Sequence, residues 1–499
     1  MADTGSAPSN EQGLGKSARA SVLWGGGFTL LRDVAQFATM LVLVRLLAPE
    51  DYGSAALAQS IVGLIGVVSF GTFVMHALQL RDPDDVDWQA HFTAAVVINS
   101  VLFCLTLLIA WALSFSERYQ SASLPLAGLA TVFLVEIPGT LRHRMLEAQH
   151  NWQRFRILLI IGTVLAMAVG LLVAFLGGGV WALIIQIPLF GLPAAVDLFW
   201  HGRWRPDWSW SWVRYRDTAR FGTNRIGSAS VARGRQTFEQ SMLAGTYDFG
   251  VLGIFTRSVG LATLIAGRIG SVTMMSIYPV ITRAEQRSER FQHMAGLVLR
   301  GVCWTTIPAA VILALCADDV VAILYGQKWL AVTPLLPLAV AGVACSGIAS
   351  TLSSLLLASN ETRISLVIDL ASALVLVGLA FWLVPVGIAE YLAAMAAYSF
   401  LVVAVYVAVL IAKRGLLPIL ILPCFVPPVI ASGIAALAVV AIQLHVDMGS
   451  ITLLLRLLWN TVVFCGVFLV TLRIGFPKPM RELISVAPGG QRIARFVGL

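Results

Sequence analysis

The sequence predicts an all-helical protein that crosses a membrane about fourteen times, and three observations support this fold class. Of the 499 residues, 58% are hydrophobic and only 12% are charged, whereas soluble domains carry roughly a quarter charged residues. The apolar residues fall into runs of about 20 or more, which is the length of a helix that spans the hydrocarbon core. Lysine and arginine are distributed very unequally between alternate loops. These observations exclude a soluble globular fold.

About fourteen apolar runs follow a polar N-terminal segment, and turn residues separate them. Segment 1–19 lacks the positively charged N-terminal region and the small-residue cleavage site of a signal peptide, so we expect it to stay on the chain. The predicted spans are residues 20–47, 54–76, 91–115, 123–143, 157–177, 180–200, 221–243, 249–280, 294–316, 333–357, 364–384, 387–411, 417–443 and 451–472.

The distribution of basic residues orients these spans, because cytoplasmic loops are enriched in Lys and Arg. If both ends are cytoplasmic, about 23 of the 34 Lys and Arg residues lie inside, about 3 lie outside and about 8 lie within spans. This asymmetry predicts an even number of spans and two cytoplasmic termini. It also explains the net charge of +8 without nucleic-acid binding.

The sequence contains no motif for a metal, a nucleotide or another cofactor. Its six cysteines lie in or beside apolar runs without a C-x-x-C pair, which indicates packing. Gly15-Lys16-Ser17 is similar to the end of a P-loop, but Asn10 stands where that loop needs glycine. We therefore predict no cofactor and no enzymatic activity. Any transport would be driven by a gradient, by a membrane potential or by the concentration gradient of the substrate itself.

Two short outer turns that lie six spans apart resemble each other. Leu47–Gly53 (LAPEDYG) follows the first span, and Leu243–Gly250 (LAGTYDFG) follows the seventh with one residue inserted. The match predicts two parallel six-helix repeats and a terminal helix pair. The predicted parts are a cytoplasmic tail at 1–19, an N-lobe at 20–200, a cytoplasmic linker at 201–220, a C-lobe at 221–411, a terminal pair at 412–472 and a cytoplasmic tail at 473–499.

Several motifs resemble those of one transporter family. Arg45–Gly53 (RLLAPEDYG), with a Gly-rich span that ends in Leu78–Asp82 (LQLRD), resembles the opening of polysaccharide transporters in the multidrug/oligosaccharidyl-lipid/polysaccharide exporter superfamily. Leu243–Phe255, Tyr278-Pro279 and Leu324–Trp329 (LYGQKW) resemble later family turns in the same order. The resemblance implies two lobes around a central cavity that opens alternately to each side. It also implies an undecaprenyl-diphosphate-linked oligosaccharide as substrate, in the bacterial inner membrane.

Arginines inside the predicted spans are the candidate substrate-binding residues. A charge near mid-bilayer costs about 2.5 to 3.5 kcal/mol, so charges that persist there usually face a cavity or one another. The charged residues of the seventh span fall within an arc of roughly 160°, which makes that helix amphipathic. The family places cationic groups on these same helices. The candidates are Arg32, Arg225, Arg233, Arg235, Arg257 and Arg268, with Arg225 nearer the inner mouth.

Surplus cations of this kind suit a diphosphate, because guanidinium groups bind phosphate oxygens bidentately. Asp33 and Glu239 each lie within one helical turn of an arginine, which makes them candidate partners or gates. Under the alternative interpretation, Arg32 pairs with Asp33, Arg235 pairs with Glu239, and Arg225 snorkels to the membrane surface.

Four other charged residues in or near the spans are weaker candidates. Glu136 and Asp369 could hold an ion or a proton, but a carboxyl near an inner helix end is also often solvated or protonated. Arg300 and Arg456 are interpreted as snorkelling to the membrane surface.

We predict an inner-membrane flippase for a lipid-diphosphate-linked oligosaccharide used in exopolysaccharide or O-antigen assembly. Its partners are that substrate and membrane lipid. Proton or sodium coupling, and association with proteins that polymerise and export the polysaccharide, stay open. A drug/cation antiporter of the same superfamily is the alternative, but it favours a cavity rich in carboxylates. A membrane glycosyl polymerase or ligase needs a large outer loop, and the outer loops near Ser114–Leu124 and Asp318–Thr333 are short.

Overall fold

The computed structural model describes residues 32–79, 86–208, 212–264, 289–358, 362–414, 418–445 and 452–486, and their regular secondary structure is entirely helical. Eleven helices are long and apolar enough to cross a membrane. A helix is favoured there because lipid offers no hydrogen bonds, so the backbone must satisfy its own polar groups. The predicted fold class is confirmed, and the chain is a multi-pass membrane protein.

The helices follow one another along the chain with short connections. They are α1 (32–46), α2 (Pro49–Ile65), a 3-10 turn (Gly66–Val68), α3 (Phe70–Val74), a 3-10 turn (Met75–Gln79), α4 (Trp88–Ser114), α5 (Gln120–Ala148), α6 (Trp152–Phe175), α7 (Trp181–Ile184), α8 (Gln186–Trp200), α9 (Trp212–Thr246), α10 (Phe249–Ala262), α11 (Glu289–Leu315), α12 (Ala317–Leu324), a 3-10 turn (Gln327–Val332), α13 (Leu336–Ala358), α14 (Thr362–Leu383), α15 (Ile388–Arg414), α16 (Pro418–His445), α17 (Leu453–Gly475) and α18 (Pro477–Val486).

The eleven apolar helices coincide with eleven of the predicted spans, and the other three predicted spans have separate explanations. The span predicted at 20–47 begins outside the described residues, which start within it at α1. α9 is too rich in charged residues to qualify by hydropathy. α10 is apolar but has only 14 residues, and much of the span predicted at 249–280 lies outside the described part. A total of fourteen is therefore approximate.

The described helices belong to two units. One comprises the described parts of Met1–Ala48, Val68–Phe115 and Ser123–Ile226; the other comprises those of Pro49–Val67, Ser116–Ala122 and Gly227–Leu499. α2 is thus a member of the second unit although it precedes most of the first in sequence. The lobe boundaries proposed from the repeat stay a prediction.

In the first unit, the helical conformation is interrupted at Ser69, just before α3. The side chain of Asn99 on α4 accepts a hydrogen bond from the Phe70 N–H at 3.0 Å. Glu136 on α5 accepts hydrogen bonds from the Ser69 hydroxyl at 3.0 Å and from the Asn99 amide at 3.3 Å. A break in a membrane helix is tolerated only where other groups form hydrogen bonds with the backbone N–H and C=O groups that lose their helical partners. The Glu136 carboxyl is therefore part of a hydrogen-bonded cluster and is not simply solvated, whereas a protonated carboxyl and an ion or proton site both stay predictions.

In the second unit, α2 and α10 cross with their backbones in direct contact. A β-carbon added at Gly53 would lie 1.8 Å from the carbonyl oxygen of Phe249, and one added at Gly253 would lie 1.9 Å from that of Pro49. Only glycine permits such a close approach. Each of these helices begins within one of the two matching segments, Leu47–Gly53 and Leu243–Gly250. The two helices that the predicted repeat makes equivalent therefore pack against each other at glycine.

Replacing Gly53 or Gly253 with alanine is expected to destabilise the fold by about 3 kcal/mol, because a carbonyl in a packed helix cannot move aside freely. Thermal unfolding of the purified protein in detergent measures the loss. Gly63→Ala on α2 is the matched control, since its added β-carbon would lie 3.8 Å from the nearest atom. Alanine is favoured over glycine in a helix by about 1 kcal/mol, so this control should be neutral or slightly stabilising. Equal unfolding temperatures for the three variants would contradict the close crossing.

Candidate functional site

The predicted site residues that the structure describes lie on three helices. Arg32 and Asp33 are on α1 in the first unit, whereas Arg233, Arg235 and Glu239 on α9 and Arg257 on α10 are in the second. Arg268 lies outside the described residues, and so does the side chain of Arg225.

Two of the candidate arginines pair with a carboxylate on their own helix. Nη2 of Arg32 lies 3.3 Å from Asp33, and Nη1 of Arg235 lies 3.3 Å from Glu239. These are the local pairs that the sequence left open as an alternative. Each pair is formally neutral, so it contributes no surplus charge while it is intact.

Glu239 is the more buried of the two carboxylates, with a side chain that is 9% exposed. Besides the ion pair with Arg235, it accepts a hydrogen bond from the Tyr391 hydroxyl at 2.7 Å, across 152 positions of sequence. The two donors satisfy a charge that would otherwise be costly to bury. Tyr391 was not a sequence candidate, because a single tyrosine near the start of an apolar helix gives no sign of a distant partner.

Arg233 presents an exposed guanidinium group that forms no ion pair with any residue the structure describes. Its Nη1 donates to the Gln236 side chain at 3.3 Å. The group lies beside α2, because a β-carbon added at Gly63 would be 3.8 Å from it. Nearby, the Thr237 hydroxyl donates to the Ser60 carbonyl at 2.9 Å and holds α9 to α2.

Arg257 is held by an aromatic cluster and likewise forms no ion pair within the described ranges. Its guanidinium carbon lies 4.5 Å from the ring centroid of Tyr52, which is the geometry of a cation–π interaction. The Tyr52 ring packs edge-on against Trp329 at 5.4 Å, and Tyr325 packs against the same indole at 5.8 Å. Nε of Arg257 is buried and finds no hydrogen-bond acceptor among the described residues.

The aromatic cluster joins two of the motifs on which the family resemblance rests. Tyr52 belongs to Arg45–Gly53, and Tyr325 and Trp329 belong to Leu324–Trp329. The Tyr325 hydroxyl lies 3.5 Å from the backbone carbonyl of Arg257. Burial raises the pKa of Tyr325 to about 12, although the charge of Arg257 acts to lower it. The phenol therefore stays protonated near neutral pH, and aromatic side chains of the two motifs pack around the arginine.

Arg233 and Arg257 lie along one face of α2. The residues beside them, Gly63 and Tyr52, are eleven positions apart, which is about 16 Å along a helix and about 20° around it. The two guanidinium groups therefore lie beside α2 at positions about three helical turns apart. The sequence predicted one cationic cavity that contains both arginines and receives the diphosphate, and this stays a prediction.

Two arginines that were interpreted as snorkelling are paired instead, so that interpretation is wrong. Arg300 on α11 is 5% exposed and donates to Glu482 on α18 at 2.6 Å. Arg456 on α17 binds both carboxylate oxygens of buried Asp319 on α12. Both carboxylates lie outside the predicted spans and far away in sequence, which is why the pairs were not foreseen.

Asp369 lines a cavity of about 280 Å³ between α13, α14 and α15. Hydroxyl groups dominate its polar lining, including those of Ser346, Ser353 and Ser372. Tyr406 donates a hydrogen bond to the Asp369 carboxylate at 2.9 Å. The carboxyl is therefore both hydrogen-bonded and open to this cavity, and a role as an ion or proton site stays a prediction.

The fold is shared with solved membrane transporters. It is similar to the lipid II flippase MurJ in its inward closed conformation, with a TM-score of 0.72 and 13% identity over 90% of this chain and 100% of that one. It is also similar to an inward-facing multidrug resistance MATE family transporter of the MOP superfamily, with a TM-score of 0.56 and 16% identity over 77% and 96% of the two chains. At such low identity, these similarities concern the fold.

Residues 42–334 match the family described as polysaccharide biosynthesis protein, and the chain belongs to that family. The predicted resemblance is thereby confirmed. The succinoglycan biosynthesis transport protein ExoT of Rhizobium meliloti (strain 1021) is 23% identical over 317 residues, and the match spans 61% of each protein. The chain thus covers less than two thirds of ExoT. An uncharacterized membrane protein in the cps region of Klebsiella pneumoniae is 19% identical over 352 residues, 69% of this chain and 72% of that one.

Proposed function

We propose that the chain is a flippase that moves undecaprenyl-diphosphate-linked oligosaccharide units across the bacterial inner membrane by alternating access. The observation that carries the proposal is the pair Arg233 and Arg257, which lack carboxylate partners among the described residues of a polysaccharide biosynthesis family member. An unpaired cation within a membrane span is costly, so an anionic ligand stabilises it. The lipid tail stays in the bilayer while the diphosphate and sugars cross, and no bond is made or broken.

The diphosphate meets the two arginines in succession. The distribution of basic residues predicts that Leu47–Gly53 is an outer turn, so Tyr52 and its neighbour Arg257 lie nearer the outer surface. Arg233 lies beside Gly63, about 16 Å further along α2 towards the cytoplasm. Arg32, Arg225, Arg235 and Arg268 complete the predicted cationic set. An anion moving along this face of α2 passes from one guanidinium group to the next.

Asp33 and Glu239 act as gates in this scheme. Each carboxylate already holds one arginine, at 3.3 Å in both cases. An arriving phosphate competes with the carboxylate for that guanidinium group, and protonation or cation binding at the carboxylate favours the exchange. Both termini are cytoplasmic in this proposal.

Reconstitution into liposomes tests the function directly. A fluorescent diphosphate-linked sugar lipid is placed in both leaflets, and an impermeant quencher reports the fraction that becomes accessible with time. We expect the protein to accelerate transbilayer movement well beyond that of protein-free liposomes, and to leave a cationic dye on its own side. No acceleration of the sugar lipid would overturn the proposal, and transport of the dye alone would favour the antiporter.

A further inference from the structure

A groove on the first unit runs between α6 and α8 and ends at a cluster of charged side chains. It has a volume of about 510 Å³, and its apolar wall includes Ile157, Ile161 and Leu165 on α6 and Val196 on α8. Ile161 and Val196 are 48% and 53% exposed, so the groove opens towards the bilayer. None of its lining residues is among the proposed substrate-binding or gating residues.

The two helices that form the groove are fixed by backbone packing. A β-carbon added at Gly162 of α6 would lie 2.3 Å from the carbonyl oxygen of Phe190 on α8. Such a close approach leaves the helices little freedom to close the groove by moving together. The two helices therefore cannot close the groove by approaching each other further at this crossing.

The charged end carries more positive than negative charge. Buried Asp197 accepts hydrogen bonds from Nε of Arg142 at 2.7 Å and from Nε of Arg154 at 3.1 Å. Two guanidinium groups thus share one carboxylate, which leaves a net charge of about +1. The Arg154 side chain is 37% exposed, and its Nη1 donates to no described residue. His201 lies 3.4 Å from the same carboxylate and is mostly exposed.

The length of the groove matches one leaflet of a bilayer. Arg154 and Leu165 are eleven residues apart on α6, which is about 16 Å. Half of a hydrocarbon core about 30 Å thick is about 15 Å. Trp152 and Trp200, at the charged ends of the two helices, are 44% and 79% exposed, and such aromatic side chains favour the membrane interface. The distribution of basic residues predicts that this end faces the cytoplasm.

We propose that this groove binds an anionic glycerophospholipid of the cytoplasmic leaflet, with its phosphate at Arg154 and one acyl chain along α6 and α8. The guanidinium fork suits phosphate oxygens, and basic pockets between membrane helices on this side bind anionic head groups. A zwitterionic lipid brings its own cation to a cluster that is already positive, so it binds less tightly. The proposal is independent of the transport substrate.

Native mass spectrometry of the full-length protein tests the groove, with phosphatidylglycerol and phosphatidylcholine of identical chains as probes. We expect the wild type to bind phosphatidylglycerol about tenfold more tightly. Arg154→Gln should remove most of this preference, whereas Arg216→Gln, which changes an exposed arginine of α9 in the same unit, should leave it intact. Ile161→Trp fills the groove without changing its charge and should weaken the binding of both lipids.

Equal affinity of the wild type for the two lipids, or equal losses in Arg154→Gln and Arg216→Gln, would overturn the proposal. So would displacement of phosphatidylglycerol by a polyprenyl diphosphate at the same site, which would assign the groove to the carrier lipid. The unfolding temperature in lipid-free detergent shows whether Arg154→Gln is folded. If Arg154→Gln is not folded, the test rests on Ile161→Trp alone. Unchanged lipid binding by Ile161→Trp would then contradict the proposed site.

Discussion

Arg233→Ala is expected to abolish translocation of the diphosphate-linked sugar lipid while the protein is still made and inserted. The side chain is exposed, and its hydrogen-bond partner among the described residues is the neutral Gln236 at 3.3 Å, so its removal leaves no buried charge behind. What is lost is a bidentate interaction with phosphate. Hydrogen bonds to charged groups contribute about 1.5 to 3 kcal/mol each. A loss of about 3 kcal/mol in the rate-limiting state slows transport by more than about a hundredfold.

The lysine variant separates charge from geometry at the same position. Arg233→Lys keeps a cation but loses the planar fork, so it should retain only part of the activity. Binding of the sugar lipid in detergent provides a second measurement, and a neutral lipid-linked sugar should be affected less than the diphosphate. If alanine at both Arg233 and Arg257 left transport and binding intact, other residues would line the path and the proposed role of these arginines would fail.

Arg257 requires a different design because it also has a structural role. Alanine there removes the cation–π contact with Tyr52 at 4.5 Å, so a loss of transport would be accompanied by a lower unfolding temperature. Arg257→Lys keeps a cation over the ring and is the informative variant. Normal stability with impaired transport in this variant would assign the guanidinium group to the substrate and not to packing.

Much of the fold could be predicted because hydropathy and charge are local in sequence. The apolar runs predicted eleven spans that the structure confirms, and the run predicted at 221–243 lies within α9, which is too polar to qualify by hydropathy. The beginning of α9 was harder to predict. Residues 201–220 were predicted as a linker because they are polar, whereas the helix begins at Trp212. A helix can extend beyond the bilayer, where polarity no longer distinguishes it from a loop.

The site was predicted only as far as its interactions are local. The pairs Arg32–Asp33 and Arg235–Glu239 follow from neighbouring positions on one helix. The aromatic cluster around Arg257 combines side chains from α2, α10 and the segment after α12, and nothing in the sequence states that these segments meet. The glycine crossing of α2 and α10 was likewise visible only as two similar turns.

Glu239→Gln is expected to slow transport at least about tenfold and, at the same time, to tighten binding of the diphosphate-linked lipid. Glutamine can still accept the hydrogen bond of Tyr391 through its carbonyl oxygen, so the fold should survive. Arg235, however, loses its counter-ion on α9 and becomes a further unpaired cation. A substrate anion that pairs with it gains an interaction that must be broken again before release.

The opposite changes in affinity and rate distinguish a gate from a merely structural carboxylate. Tyr391→Phe is the matched control, because it removes the 2.7 Å hydrogen bond but leaves the ion pair of Glu239 with Arg235. We expect that variant to lose some stability and to keep its affinity for the substrate. Glu239→Ala leaves both Tyr391 and Arg235 without their acceptor and should lower the yield of folded protein.

Transport by Glu239→Gln at the wild-type rate, at every pH and membrane potential tested, would remove Glu239 from the mechanism. A weaker affinity for the substrate would place the carboxylate in contact with the substrate itself and not in competition with it.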